Sequence, residues 1–339
     1  MARLETPVEL PKHQVTMRGL IWGFAMLPDR CIQNLVGSEH LDQALTHADW
    51  VVWLHFNARI GQARNWIHGC EHLQEPLRGF LLETDERKRI ERVGEGYIGV
   101  LSDIRYDFDF DPDEIATLRF YLDRRCLIST RLQPSNAADQ LRTEIRQGRY
   151  FDSTAKLLLY LFESQVAKLT ETTSQVRDRL DDIEDQVLAG QTRGQHVQLG
   201  MIRRQTVRLH HHFAPEHRML QRLCRQPPEW FEKSDRLALQ EVAEEFRELI
   251  NDMTETLERA KLLQEELSAR VAEKTGNNLY ILSIFTALLL PPSLMAGIFG
   301  MNVAGLPGLQ DENAFLWIML GMAAVSLLIL LVLHLRRLL

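Results

Sequence analysis

Residues 279–299 read LYILSIFTALLLPPSLMAGIF, without one Asp, Glu, Lys or Arg. At 1.5 Å of rise per residue, such a run reaches roughly 30 Å as a helix, the thickness of a bilayer's hydrocarbon core. Residues 314–335 form a second charge-free run of similar reach. Core helices of soluble proteins seldom stay charge-free on every face for so long, so the pair reads as two transmembrane helices. Arg270 and Lys274 precede the first run, and Arg336 and Arg337 follow the second. The connection between them carries only Asp311 and Glu312. Basic flanks stay on the cytoplasmic side, so both termini are expected inside and the connection outside.

The two spans change what the composition means. The chain has 339 residues, is 45% hydrophobic and 25% charged, and carries a formal net charge of -7. Its mean hydropathy of -0.19 is that of a soluble protein. Residues 279–339 hold two acids and two bases, so the whole -7 falls on residues 1–278. Ample apolar surface excludes a disordered chain, and the acidic balance disfavours nucleic acid as a partner. Cys31, Cys70, Cys126 and Cys224 stand singly, with no C-x-x-C pair, and read as reduced thiols in a cytosolic setting. The run Gly19–Pro28 (GLIWGFAMLP) follows Lys12 and Arg18 like a weak signal peptide. It is too short to span, lacks a small-residue cleavage site, and reads as a strand.

Residues 1–150 mix helix and strand signals and form an α/β domain. Strand candidates are Asp49–Phe56, the alternating Tyr106–Asp111, and a hairpin of Leu118–Leu122 and Cys126–Leu132 turning at Asp123–Arg125. Helix candidates are Ala58–Leu73 and Ser135–Gln147, the latter with Ser135 as N-cap. From residue 151 to 278 strand signals vanish. Asp152 or Ser153 caps a helix that Gly190 stops. A second helix covers about His196–Cys224, interrupted by Pro215 and ended by Pro227–Pro228. A third opens near Ser234, with an apolar stripe from Leu239 to Val271 recurring every three or four residues. Only Gly276 separates it from the first span, so one helix of about 100 Å is expected through residue 299. Such a helix could transmit motion to the membrane or serve as a static coiled-coil stalk. The expected fold class is an α+β membrane protein: a cytosolic α/β domain, long antiparallel helices, spans at 279–299 and 314–335, a connecting loop at 300–313 and a short cytosolic tail at 336–339.

Two helices share one interface and enclose no aqueous path, so transport requires several copies around an axis. Leu279, Leu282, Thr286, Leu290, Ser293 and Gly297 follow at helical spacing along one face of the first span. Apolar rings there could gate by dewetting and hydroxyl rings could hold ion-bound water. The alternative is that the small residues serve helix packing. The second span, rich in Leu, Ile, Val and Met, reads as lipid-facing. Pro291 and Pro292 deprive the carbonyls of Ala287 and Leu288 of their helical donors. Those oxygens either mark a kink or face cation-bound water. The chain has no G-x-x-x-x-G-K-[ST] motif and no nucleophile–base constellation, so neither an ATPase nor another enzyme is expected.

The first span ends in Gly300-Met301-Asn302. A G-M-N at the outer end of the first of two C-terminal spans, after a long stalk helix, resembles the CorA family of divalent-cation channels and transporters. Trp53–Phe56, Ile128–Arg131, Ile183–Gln186, Met201–Gln205 and above all Asn302–Gly308 (NVAGLPG) are similar to the family's zinc-transporting ZntB branch. Met301 departs from that branch, which often has Ile or Val there, and matches its magnesium branch. The resemblance implies a homopentameric funnel in a bacterial inner membrane, with the first span lining the pore. It also implies an outer ion-recognition ring of Gly300, Met301 and Asn302. Zinc is the implied cargo, with Mg2+ or Co2+ as alternatives and no bound cofactor. Uptake is implied, with efflux and proton coupling as open alternatives. Five copies would gather roughly -35 of charge around one axis, a field suited to cations.

Neither span contains Asp, Glu or Cys, and the only histidine is His334. Zinc prefers thiolate, imidazole and carboxylate ligands, so this pore could not replace a stripped hydration shell. The expectation is a hydrated ion whose waters are held by five Asn302 carboxamides. Two acidic clusters are candidates for cation sensing: Asp181, Asp182, Glu184 and Asp185, and Asp103, Asp107, Asp109, Asp111, Asp113 and Glu114. Both also read as ordinary solvated surfaces. His68 and His72 have an i, i+4 spacing but lack a third ligand, and His210–His212 with His217 read as polar helix surface.

Overall fold

Seven strands order as β2-β1-β3-β7-β6-β5-β4 in a single mixed sheet. They are β1 (Leu20–Met26), β2 (Ile32–Asn34), β3 (Val51–Asn57), β4 (Arg89–Val93), β5 (Gly96–Ile104), β6 (Ile115–Leu122) and β7 (Cys126–Arg131). The computed structural model describes residues 17–85, 87–104, 115–191, 194–301 and 313–335. The alternating segment Tyr106–Asp111 therefore lies outside the described residues. Only β3 and β7 pair in parallel, with Val52 opposite Cys126; the other neighbours are antiparallel. The signal-like run at Gly19–Pro28 is β1, a strand flanked by β2 and β3. The β6–β7 hairpin turns where Asp123 N–H donates to the Cys126 carbonyl at 3.0 Å.

Both sheet faces are covered. On one, α1 (Ser38–Thr46), α2 (Gly61–Gly69) and α3 (Leu77–Leu82) bury Leu41, Ile67 and Phe80 against Leu54, Phe56 and Val100. On the other, Trp53, Leu101 and Phe120 meet α4 (Asn136–Arg146), α5 (Thr154–Leu188), α6 (Gln195–Arg225) and the first part of α7 (Lys233–Phe299). Ser135 caps α4, its Oγ accepting from Ala138 N–H at 3.3 Å. Ser153 caps α5, its Oγ accepting from Lys156 N–H at 3.3 Å. Each cap satisfies an amide that the first turn leaves without a partner.

The expected break at Pro215 is absent, because α6 runs unbroken from Gln195 to Arg225. Pro215 lies on the outer side of the helix, and the carbonyl it deprives belongs to the exposed His211. The missing hydrogen bond therefore falls on the solvent side, where it costs least. The expected helix Ala58–Leu73 is shorter than its pattern, ending at Gly69.

Contacts divide the chain into two units, Met1–Leu263 and Gln264–Leu339. The second contains the C-terminal part of α7 and all of α8 (Ala314–Leu335). α7 is a single helix of 67 residues that passes through Gly276, Pro291 and Pro292. Its apolar stripe is buried at Leu239, Phe246, Met253, Leu263 and Leu267, and Val271 is exposed. α7 and α8 each contain a segment long and apolar enough to cross a membrane, and neither segment is buried in the protein.

Candidate functional site

The membrane-length segment of α7 has two distinct sides. Ile284, Leu288, Pro291, Pro292, Met295 and Phe299 are half-buried, three or four residues apart. On α8, Ile318, Gly321, Met322, Val325, Ser326, Ile329 and Leu333 form the matching half-buried stripe. Small residues in the second stripe let the helices approach, as packing in a bilayer requires.

Leu279, Leu282, Thr286, Leu290, Ser293 and Gly297 are all exposed. At 100° per residue their mean direction is opposite the α8-facing stripe. A groove runs along this side, lined by Leu279, Leu282, Ser283, Thr286, Ala287, Leu290 and Pro291. The spacing that picked out these six residues thus coincides with the side of α7 that α8 leaves uncovered.

The hydroxyls of this segment have a definite polarity. Thr286 Oγ1 donates to the Leu282 carbonyl at 2.9 Å, and Ser283 Oγ donates to the Leu279 carbonyl at 2.8 Å. Each hydroxyl proton is committed to the helix, so the oxygen presents lone pairs outward. Water bound to a cation turns its protons outward and needs acceptors of this kind. Pro291 and Pro292 are half-buried, and Pro291 with Ala287 also borders the groove.

At the end of α7, Gly300 N–H donates to the Ala296 carbonyl at 2.9 Å and Met301 N–H to the Ile298 carbonyl at 3.3 Å. A Cβ at Gly300 would stand 3.0 Å from the Ala296 oxygen, so the tight ending favours glycine. Met301 is exposed. Asn302 lies outside the described residues.

The candidate sensing residues are divided. Arg259 of α7 donates to Asp181 at 2.6 Å and to Glu184 at 2.7 Å. Asp182 and Asp185 are exposed beside them. The sequence offered no sign that an arginine some 75 residues away holds two of the four acids. Asp103 requires a correction, since it is buried rather than part of an exposed acidic face. Its Oδ2 accepts from Ser135 Oγ at 2.5 Å and Ala137 N–H at 2.9 Å, which ties β5 to the start of α4. Asp107, Asp109, Asp111, Asp113 and Glu114 lie outside the described residues. His68 and His72 do not share a helix, because α2 ends at Gly69 and the His72 imidazole is engaged by the Leu45 carbonyl. His211 and His212 stand edge to face, 5.6 Å apart, on α6. Among the described residues, no three His, Cys, Asp or Glu of one chain come together as a metal-ligand set.

Comparison with known proteins extends this picture. Residues 49–337 match the family of CorA-like Mg2+ transporter proteins. The zinc transport protein ZntB of Yersinia enterocolitica is 25% identical over 274 residues, 80% of this chain and 83% of that protein. The divalent cation transporter CmaX of Pseudomonas aeruginosa is 28% identical over 308 residues, 88% of this chain and 90% of that protein. The solved structure of full-length CmaX superposes with a TM-score of 0.81 at 25% identity, covering 96% of this chain and 100% of that one.

Proposed function

The chain belongs to the CorA-like Mg2+ transporter family, and from that membership we propose that it carries hydrated divalent cations, zinc first, inward across a bacterial inner membrane. The observation that carries this reading is the α7 face opposite α8, where Leu279, Leu282, Leu290 and Gly297 alternate with the hydroxyls of Thr286 and Ser293. One α7–α8 pair encloses nothing, so the path forms where these faces meet around an axis. A homopentamer, the assembly the family resemblance implies, would provide it, with both termini on the cytoplasmic side.

In this arrangement the ion keeps its water. The outer ring of Gly300, Met301 and Asn302 selects by hydrogen-bonding the hydration shell through Asn302, because thioethers and amides are poor replacements for zinc's usual ligands. Thr286 then accepts from the ion's water protons, and the leucine rings close the path by dewetting. Entry of a divalent ion is driven by roughly 4–5 kcal/mol per 100 mV of inside-negative potential. Uptake therefore needs no second energy source, whereas efflux would need a counter-ion. Zinc follows from the similarity to ZntB over most of the chain. A Mg2+ or Co2+ channel is the second reading, favoured by Met301. The test is uptake of Zn2+, Mg2+ and Co2+ into liposomes holding the purified chain. Selective entry of at least one ion, driven by potential alone, supports the proposal. Liposomes no leakier than empty ones would leave a membrane-anchored helical scaffold instead.

A further inference from the structure

Glu216 is the only acidic residue of α6, and it is completely buried. Its Oε2 accepts the Ser102 N–H of β5 at 3.0 Å, and its Oε1 accepts Gln165 Nε2 of α5 at 2.9 Å. The same Gln165 amide also reaches the Ser102 carbonyl. Ser102 Oγ donates to the His212 carbonyl of α6 at 3.4 Å. The next residue of β5 is Asp103, also buried. Its Oδ2 is held by Ser135 and Ala137, and its Oδ1 has no hydrogen-bond partner among the described residues. Two carboxyl groups excluded from water thus hang on consecutive residues of one strand and tie it to α4, α5 and α6. Ion transport through α7 makes no use of them.

We propose that Glu216 and Asp103 form a proton-binding site that makes the packing of α6 and α4 against β5 depend on pH. Among the described residues, the charged and titratable groups acting on it are few. Lys88, preceding β4, favours the ionised form of Glu216, and Asp103 opposes it. Asp139 of α4 opposes ionisation of Asp103. Among the described residues, the neutral donors of Ser102, Gln165, Ser135 and Ala137 hold the two carboxyls. Burial is the largest influence on each carboxyl and outweighs these donors, raising Glu216 to about 7 and Asp103 to about 6. Burial, with a smaller push from the charge of Asp103, keeps a proton on Glu216 where an exposed carboxyl would lose it.

The sign follows from the direction of the shifts. Both groups bind a proton more tightly folded than unfolded, so their contribution to stability is complete below the unfolded values and is lost as pH rises through about 7. Buried His55 and partly buried His217 are shifted downward and act oppositely, but only below their ordinary value of 6.5. The thiols of Cys70, Cys126 and Cys224, raised by burial above their ordinary 9.0, act in the same direction as the carboxyls but only as pH nears that value, so the window from about pH 6.5 to about 7.5 reports chiefly on Glu216.

The test uses the full chain in detergent, melted at a series of pH values from about 6.5 to about 7.5. The expected result is a Tm that falls as pH rises, with the fall removed in Glu216→Gln and moved to lower pH in Asp103→Asn. Infrared difference spectra of the wild type across the same window should lose a protonated carboxylic acid band, a readout that stands even where a variant fails to fold. A wild-type Tm flat across the window, an unchanged slope in a folded Glu216→Gln protein, or no such band would each overturn the proposal. None of these readouts depends on ion flux, so they stand apart from the transport reading.

Discussion

The Cε of Met295 on α7 lies 3.5 Å from where a Cβ on Gly321 of α8 would stand. That is ordinary van der Waals distance, so the contact has room for a methyl group and no more. Gly321→Ala should leave both melting and ion flux near wild type. Gly321→Leu should cost about 1–3 kcal/mol by overpacking and push the helices apart. Its signature is reduced flux with an unchanged melting transition of the N-terminal unit, read by calorimetry beside liposome uptake.

Phe213 of α6 and Phe246 of α7 lie with ring centroids 6.5 Å apart, and neither ring is solvent-exposed. Phe246→Ala empties a site walled by α6 as well as α7. The expected loss is about 3–5 kcal/mol, measured by denaturant titration. A loss near zero would mean that these helices are not packed as described.

His55 stacks on Trp22 at 5.1 Å, and its Nδ1 is 2.8 Å from Ser129 Oγ. Burial, followed by the charge of Arg131, holds its pKa well below 6.5. Unfolding frees the imidazole to take a proton, so this contribution is present above 6.5 and is lost as pH falls below it. The imidazole nitrogen shifts should stay those of a neutral ring from about pH 8 to about pH 5.5, as NMR would record. Titration near 6.5 would contradict the burial.

Arg259 with Asp181 and Glu184 is a partly exposed ion-pair cluster, screened by solvent. Arg259→Ala should cost only about 0.2–1 kcal/mol. It should also free both carboxylates, so that added divalent cation raises the variant's Tm more than the wild type's. No difference between the two cation responses would remove Asp181 and Glu184 as candidates for cation sensing.

The long helices were legible because their periodicity and caps agree: Ser135 caps the helix it was expected to open, and of the two candidates Asp152 and Ser153 it is Ser153 that caps the next. β1 and β3 were legible as short apolar runs. β5 was not, for two physical reasons. Every one of its residues is buried, which erases the alternation that marks a half-exposed strand. It also contains Gly96 and Gly99, which read as breakers. A Cβ at Gly99 would stand 2.2 Å from the Phe120 ring, so the glycine is there to admit that ring. β2, α1, α3 and β4 are short pieces whose placement depends on the sheet they join.

The side of α7 that α8 leaves uncovered was legible because a membrane helix keeps strict periodicity between its two sides. Missing the partners of Asp103 and Arg259 has another cause. A local acidic pattern looks the same whether it faces water, a helix N-terminus or an arginine on a distant helix. Only tertiary contact, across 32 residues for Ser135 and 78 for Asp181, distinguishes them.

The most direct measurement of the central claim is divalent-cation flux into liposomes with Asn302→Ala beside the wild type, at equal protein incorporation and fixed potential. If the Asn302 amides hold the hydration shell at the entrance, the variant loses flux by at least ~10-fold, about 1.4 kcal/mol of barrier, while its melting is unchanged. Flux equal to wild type would contradict a hydrated ion selected at that ring.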